Sequence, residues 1–549
     1  MKKGMMGAAA AVLVLTTALA VQGTETEAAA IKGKLNKTKM TIAVGKSGTL
    51  KVKGAKKAKI SFVSANKKIA SVNKKGIVKG LKKGQAKIRA VVKNGKKKKK
   101  LTCKVTVIRG AKSLQILNAE GKSVKKVTLT KYESISLKAK ITPKNSGDSV
   151  KWKAADTDIA TVKNGVITGQ YVGTTTVKAE TISGKQQKVK VTVKAPVLTS
   201  SLKKAYENDF KIGAAVNTWQ LIGNGSYQKA KPLITGQFNS ITMENQMKPE
   251  SLISADTKEV SDNTAVVINT DILDQVLGLA KDNGLQVRGH TLVWHSQTPE
   301  WFFHEGYKAD KAYVSKETMR SRMENYIRQV LEYCQKNYPG IVYAWDVANE
   351  VVDDSGVMRK NSPWYKVYGD DSYVTDAFRF ARKYADEGVS LFINDYNEYM
   401  PAKRDKLYEV AKKLYEEGIC DGVGMQSHYS MTYPTTALVK VAIQKFNSIA
   451  PGKIQIQLTE LDIHNTYNTA SGQKSVAQKY GSLFEMLLDM RRNSGANITG
   501  VTFWGLTDAD SWLTNFKRET SYPLLFGGDY AAKSAYFAVL NAASGEEKQ

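Results

Sequence analysis

The stretch "AWDVANEVVDD", residues 344–354, decides the fold. It opens on Ala344, Trp345 and Val347, side chains suited to a core, and closes on Asn349 and Glu350, where a strand reaches water. One strand ending in an acid is ordinary. Seven more runs share the habit: "KIGAAVN" (211–217), "FNSITMEN" (238–245), "QVRGHTLVW" (286–294), "SLFINDYN" (390–397), "GVGMQSH" (422–428), "IQIQLTELD" (454–462) and "GVTFWGL" (500–506). Amphipathic stretches lie between them. The stretch 266–283 stops at Gly284, 317–337 stops at Pro339-Gly340, and later ones stop at Gly388, Gly418, Pro451-Gly452 and Gly495, all helix C-terminal signals. Eight strand-then-helix units predict a (β/α)8 barrel, whose functional groups sit at the C-terminal ends of the strands. A doubly wound open sheet is the alternative, but no Gly-rich phosphate loop follows the first strand.

In a barrel those strand ends converge on one mouth. They supply Asn217, Glu244-Asn245, His290 with Trp294, Asn349-Glu350, Asn394 to Asn397 with Tyr396 among them, Gln426 with His428, Glu460 with Asp462, and Trp504. Amides and carboxylates that bond hydroxyls, with indoles that stack on sugar rings, describe a carbohydrate site. Glycosidic cleavage needs two carboxyls, one protonated to donate to the leaving oxygen and one ionised to meet the oxocarbenium-like centre. Glu350 and Glu460, ending the fourth and seventh strands, are that pair. Strand geometry puts Glu460 and Asp462 on one face, and His428 on the adjacent strand end can bridge them. An imidazole partner keeps Glu460 ionised, as a nucleophile must be, while the apolar setting of Glu350 favours its protonated form. Glu350 is therefore read as acid/base and Glu460 as nucleophile. The spacing of His290 and His295 suits no metal site, and this chemistry requires neither metal nor cofactor.

The motifs "GHTLVWHSQTPEW", "WDVANEVVDD", "NDYN", "GVGMQSHY", "LTELDI" and "FWGLTDADSWL" resemble glycoside hydrolase family 10, the retaining endo-β-1,4-xylanases, from about Leu202 to Leu540. The resemblance implies a (β/α)8 barrel, double displacement on xylan, and the same roles for Glu350 and Glu460. It also implies that Asn349 meets the sugar 2-hydroxyl and that His428 and Asp462 hold Glu460. Glu244, Asn245, Lys248, His290, Trp294, Gln297, Tyr396, Gln426, Trp504 and Trp512 match its substrate-binding positions. "MENQMKPES" departs from the family in carrying Pro249 where many members have Trp, which bears on the distal glycone subsite. Bulky Trp504 and Trp512 would crowd the hydroxymethyl group of glucose, which xylose lacks.

The rest of the chain is a different kind of surface. Residues 31–195 hold 43 Lys and Arg against 6 Asp and Glu, whereas 196–549 hold 38 against 42, so the net charge of +33 belongs to the first third. In that third a pattern occurs twice. Phe62 corresponds to Trp152, "IASV" (69–72) to "IATV" (159–162), and Gly76, Gly80 and Gly84 to Gly165, Gly169 and Gly173; each copy ends in a Val-rich strand. Two small β-sandwiches with an aromatic in each core are expected. These features resemble the group 2 bacterial Ig-like domain. The organisation read from the sequence is therefore a signal peptide (1–30), Ig-like domains at 31–109 and 110–195, a linker at 196–201 around Ala195-Pro196, and a catalytic domain at 202–545. Lys96 to Lys100 lies between two strand patterns without interleaved aromatics, so a solvated hairpin tip is expected rather than a nucleic-acid site. Anionic cell-wall polymer or acidic xylan suits so positive a surface.

Met1-Lys2-Lys3, the apolar run Met5–Val21 and the small-residue sites Ala18-Leu19-Ala20 and Ala28-Ala29-Ala30 have the layout of a secretory signal. A secreted or surface-associated monomer without a transmembrane anchor is expected. Cys103, Cys334 and Cys420 show no metal-like spacing; Cys334 continues the helical series Met323, Tyr326, Ile327, Val330, Leu331, and pairing of any two is open. Two other functions stay in view: a sister barrel glycosidase cutting β-glucan or β-mannan, and a binding protein with an inactive barrel, which would need an altered carboxylate.

Overall fold

The computed structural model describes residues 32–55 and 57–544; the expected signal peptide lies outside them. The chain forms two compact units. One runs up to Ser123 and adds Lys138–Trp152 and Ala179–Gln187; the other contains Val124–Leu137, Lys153–Lys178 and everything from Lys188 onward.

The two basic repeats fold with the same strand order. The first has a four-stranded sheet ordered Lys39–Ala43, Lys97–Ile108, Gly84–Asn94, Lys59–Ser64, and a three-stranded sheet ordered Ser47–Thr49, Ile77–Gly80, Ala70–Val72. In the second the corresponding strands are Lys126–Thr130, Gln186–Lys194, Gly173–Thr181, Val150–Ala154, and Ser134–Ser136, Val166–Gly169, Ala160–Lys163. Period-2 alternation builds each core. In the first repeat Ala86, Ile88, Ala90 and Val92 point inward from one strand, and Cys103, Val105 and Val107 from its neighbour. The expected aromatic cores differ in detail. Phe62 and Trp152 are half-buried, and Phe62 packs against the core of the first repeat from its side. The lysine run begins at a tight turn, with Asn94 paired to Lys97, and its exposed side chains continue up the strand.

Eight parallel strands form the barrel: β1 (Lys211–Val216), β2 (Ser240–Met243), β3 (Gln286–Trp294), β4 (Val342–Asn349), β5 (Ser390–Asp395), β6 (Gly422–Met425), β7 (Gln455–His464) and β8 (Ile498–Phe503). Each pairs with the next, and β8 pairs with β1 in the register Lys211↔Gly500, which closes the cylinder. The sixth run breaks at Gln426-Ser427 and resumes as His428–Ser430, paired beside the end of β7 with His428 opposite Asp462. A bend there turns the His428 ring toward β7.

Helices follow the strands, and their limits are chemical. Asn269 caps Thr270–Asp282 by accepting from the Ile272 N–H, and Ser315 caps Lys316–Asn337 by accepting from Thr318. The latter helix buries Met323, Tyr326, Ile327, Val330, Leu331 and Cys334 on one face. All three cysteines are free and buried. Inside the barrel wall Gly289 leaves room for Trp345, whose ring a side chain at 289 would overlap. Among the described residues no helix is long and apolar enough to cross a membrane.

Candidate active site

The barrel mouth opens into a cleft of about 780 Å³, lined by every catalytic and substrate-binding residue read from the sequence, whereas of the other strand-end groups Asn217 caps the helix Thr218–Ile222 and Asn394 is buried. Beneath it, β3 and β4 are tied together inside the wall. Buried Asp346 accepts from Arg288 Nε at 3.2 Å and pairs with His290 Nδ1 at 3.0 Å, which leaves the other edge of His290 for the cleft. Burial raises the Asp346 carboxyl, but Arg288 and His290 outweigh it and hold the group below its ordinary range.

Glu350 emerges from β4 with φ +57°, a left-handed backbone that a non-glycine residue adopts only when its surroundings impose it. Its N–H donates to the Asn394 carbonyl at 2.8 Å and its own carbonyl accepts from Arg359 Nε at 2.7 Å. Gln297, Asn397 and Ser427, also at the mouth, share the positive φ. The Glu350 carboxyl accepts from Gln426 Nε2 at 3.0 Å, and His295 Nε2 stands 3.9 Å away. Burial lowers His295 to about 4, more than the neighbouring Glu350 raises it, so the ring is neutral near neutral pH.

Glu460 sits on β7 and is 5 % exposed. His428 bridges it to Asp462: Nε2 lies 3.1 Å from Glu460 Oε2 and Nδ1 lies 3.0 Å from Asp462 Oδ1. Burial opposes charge on His428, yet the Asp462 and Glu460 carboxylates hold its pKa at about 10, so both ring nitrogens donate. Burial likewise raises Glu460, but the His428 hydrogen bond, His290 and Asn394 carry it below its ordinary value. Asn394 Nδ2 lies 2.9 Å from the other Glu460 oxygen. The Asn349 carboxamide is buried against Asn394 at 2.9 Å and Gln426 at 3.2 Å. A continuous amide relay therefore connects the two carboxyls through Gln426, Asn349 and Asn394.

Indoles and a lysine build the walls. Trp504 meets the rings of His290 and His428 edge-on, at 5.5 and 6.3 Å between centroids. Trp512 donates from Nε1 to Asp462 Oδ2 at 2.9 Å and packs on His428 at 5.0 Å. Lys248 Nζ donates to Gln297 Oε1 at 2.8 Å and Asn245 Oδ1 at 3.2 Å, and lies over the Trp294 ring at 5.0 Å. Pro249, the departure from the family pattern, opens the short helix Pro249–Leu252 directly after Lys248. Burial raises Glu244, although Lys248 pulls it back. Tyr396 is fixed by Arg359 Nη2, which donates to its hydroxyl at 3.2 Å, and by Lys403 above its ring.

Residues 201–542 match the family model for glycosyl hydrolase family 10. The chain belongs to glycosyl hydrolase family 10. Residues 33–103 match the bacterial Ig-like domain, group 2. The family 10 region is 44% identical over 351 residues to endo-1,4-beta-xylanase B of Butyrivibrio fibrisolvens, covering 63% of this chain and 54% of that one. It is 40% identical over 284 residues to a putative endo-1,4-beta-xylanase of Caldicellulosiruptor saccharolyticus, covering 50% of this chain and 90% of the relative. The chain thus spans about half the length of the Butyrivibrio relative, and 34% of the bifunctional endo-1,4-beta-xylanase XylA of Ruminococcus flavefaciens. Among solved structures, an intracellular xylanase from Thermoanaerobacterium saccharolyticum superposes with a TM-score of 0.54 at 34% identity, covering 62% of this chain and 98% of that one.

This family 10 cleft also holds groups that sequence reasoning missed. Arg359 and Lys403 brace the Glu350 loop, Lys403 through its buried pair (3.0 Å) with Asp395 of the strand end already read, which accepts from the Val352 N–H at 3.1 Å. Burial pushes Asp395 up to about 6, more than Lys403 pulls it down. His295 follows Trp294 directly, a signal considered only for metal spacing. Arg359 comes from an irregular segment after β4, where no periodicity marks it; Lys403 shares the buried face of the helix Pro401–Glu416 with Leu407, Ala411 and Leu414, but a lysine there reads as a solvated charge.

Proposed function

We propose that this protein is a secreted, retaining endo-1,4-β-xylanase that cuts internal bonds of xylan by double displacement. One observation carries the reading: Glu350 and Glu460, from the ends of β4 and β7 of one barrel, meet in a single cleft in contrasting settings. Glu460 is ionised by the His428 imidazolium, whereas the Glu350 carboxyl accepts from the neutral Gln426 amide and stands 3.9 Å from the neutral His295 ring. In the first step Glu460 attacks the anomeric carbon while Glu350 gives its proton to the departing glycosidic oxygen, forming a glycosyl ester on Glu460. Glu350, now a carboxylate, takes a proton from water; the resulting hydroxide displaces Glu460 from the opposite face, so two inversions give net retention. Asn349, held by the amide relay, takes the role of bonding the 2-hydroxyl in this reading. Trp504 and Trp512, packed edge-on against His428, support a preference for xylose, since bulky rings beside the reacting sugar would crowd the hydroxymethyl group that glucose carries and xylose lacks.

A substrate panel tests this: reducing-sugar release from xylan should far exceed that from carboxymethyl-cellulose and mannan, and preference for either of the latter two overturns the substrate. NMR of the first product from a xylan oligomer should show the β-anomer, and an initial α-anomer overturns double displacement.

For the basic repeats the proposed ligand is anionic wall polymer or glucuronic-acid-substituted xylan, which would keep the enzyme near its substrate. Support comes from residues 31–110, which contain no Asp or Glu, and from a sheet face that sets Lys39, Lys104 and Lys87 side by side across three strands. Like charges directly opposite one another weaken a sheet, which a polyanion would offset. Pull-down on both materials should fall with salt and with deletion of residues 31–195; unchanged retention after deletion overturns the assignment.

A further inference from the structure

The larger compact unit includes residues 124–137 and 153–178, which belong to the second Ig-like repeat, together with the barrel. Within it, Lys131 is fully buried and donates from Nζ to both oxygens of Asp529, at 2.7 and 3.0 Å. Asp529 also accepts from the Val172 N–H at 3.1 Å and the Ala531 N–H at 3.2 Å. The Lys131 ammonium lies 4.8 Å from the Tyr171 ring centroid and 5.4 Å from that of Tyr132. The seat is cut to fit. A Cβ on Gly527 would stand 2.5 Å from Lys131 Nζ, and one on Gly528 would stand 2.8 Å from the Tyr171 hydroxyl. Gly527-Gly528-Asp529 thus combines two missing side chains with one charge, matched to a lysine and a tyrosine far away in sequence.

The seat is continuous with the wall of the cleft. Buried Lys533 donates to Asp508 Oδ1 at 2.9 Å and to the Tyr522 carbonyl at 3.0 Å. Asp508 in turn accepts from the Leu524 N–H at 2.9 Å and donates its own N–H to the Phe526 carbonyl at 3.0 Å. These bonds fold the segment from Trp504 to Lys533 onto itself, and Trp504 and Trp512 are its cleft-lining indoles. Lys131 adds a second cation to this buried set, balancing Asp529 as Lys533 balances Asp508. A freely moving spacer would not bury a charge in this way, because an ion pair taken out of water holds only while both partners stay seated.

We propose that the second Ig-like repeat is a brace of the catalytic unit, in which Lys131, seated on Gly527-Gly528-Asp529, is a positioning residue for the segment that carries Trp504 and Trp512. The proposal rests on those indoles binding substrate, as set out above. Its test uses the full chain with Lys131→Met, Asp529→Asn and the double variant, following kcat and KM on a xylan oligomer and proteolytic cutting within residues 505–533. Lys131→Met strands the Asp529 carboxylate. It should raise KM three- to tenfold with kcat within twofold, and speed cutting of the segment at least fivefold. The double variant removes both charges and should recover both readouts to within twofold of the parent. Unchanged KM and cutting in Lys131→Met overturns the brace, as does a double variant no better than Lys131→Met. Should Lys131→Met fail to fold, Tyr171→Ala takes its place with the same expected KM rise. Were the chain inactive on xylan, that would overturn the functional reading, while the cutting rates would still decide the brace.

Discussion

Replacing His428 by Gln tests the electrostatics of the site most directly. In the native cleft Glu460 is kept ionised against its burial by the imidazolium at 3.1 Å, with Asn394 at 2.9 Å on its other oxygen. Gln can still hydrogen-bond but carries no charge, and Asp462 stays buried nearby as a second carboxylate. What disappears is the adjacent positive charge, and an opposite charge that close lowers a carboxyl by about one to three pH units, so its removal moves the ionisation of Glu460 up by about that much, before any like-charge repulsion from Asp462. The acid limb of the kcat/KM profile, measured on an aryl xylobioside that needs little leaving-group protonation, should shift upward by that amount. Activity on the plateau should fall on the order of 10-fold to 100-fold as the nucleophile loses its orientation. An acid limb that stays where it was would refute the claim that His428 sets the charge of Glu460.

Glu350→Ala should lower kcat/KM on xylan by about 10³-fold, within the usual range for a general acid, while aryl glycosides with good leaving groups lose less than about tenfold in the glycosylation step. Stopped-flow release of the aryl group reads that step. Glu398 is buried, and burial pushes its carboxyl up to about 7, against its bond from the Tyr429 hydroxyl at 2.8 Å. Its folded pKa exceeds the unfolded value, so stability should decline as pH rises from about 4.5 through 7, by on the order of 3 kcal/mol. Urea unfolding of Glu398→Gln should lack that slope. His428 is raised to about 10, so its contribution to stability is complete below about pH 6.5 and lost as pH rises through 10. Unfolding of His428→Gln should lack that alkaline loss.

Much of the barrel was legible in the sequence. The run 286–294 coincides with β3, and the other seven predicted runs overlie observed strands to within a few residues. The sixth is the informative exception. "GVGMQSH" reads as one strand, but the chain breaks at Gln426-Ser427, where Ser427 takes φ +64°, and the break aims His428 between Glu460 and Asp462. Alternation reports which way a regular strand points; it carries no signal for a bend imposed by neighbours. The Ig-like repeats show the same limit, since the matched aromatics Phe62 and Trp152 mark equivalent positions without fixing how deeply they sit.

By itself the sequence determined the strand-and-helix alternation, the chemistry gathered at the strand ends, and the separation of basic repeats from a near-neutral barrel, because periodicity, caps and charge are local quantities. The tertiary structure alone decided the amide relay between Glu350 and Glu460, the Arg359 and Asp395–Lys403 support beneath Glu350, and the seat of Lys131 on Asp529. Each of these joins residues whose proximity depends on how the chain closes in space. The balance between burial and charge that sets their ionisation exists only once water has been excluded.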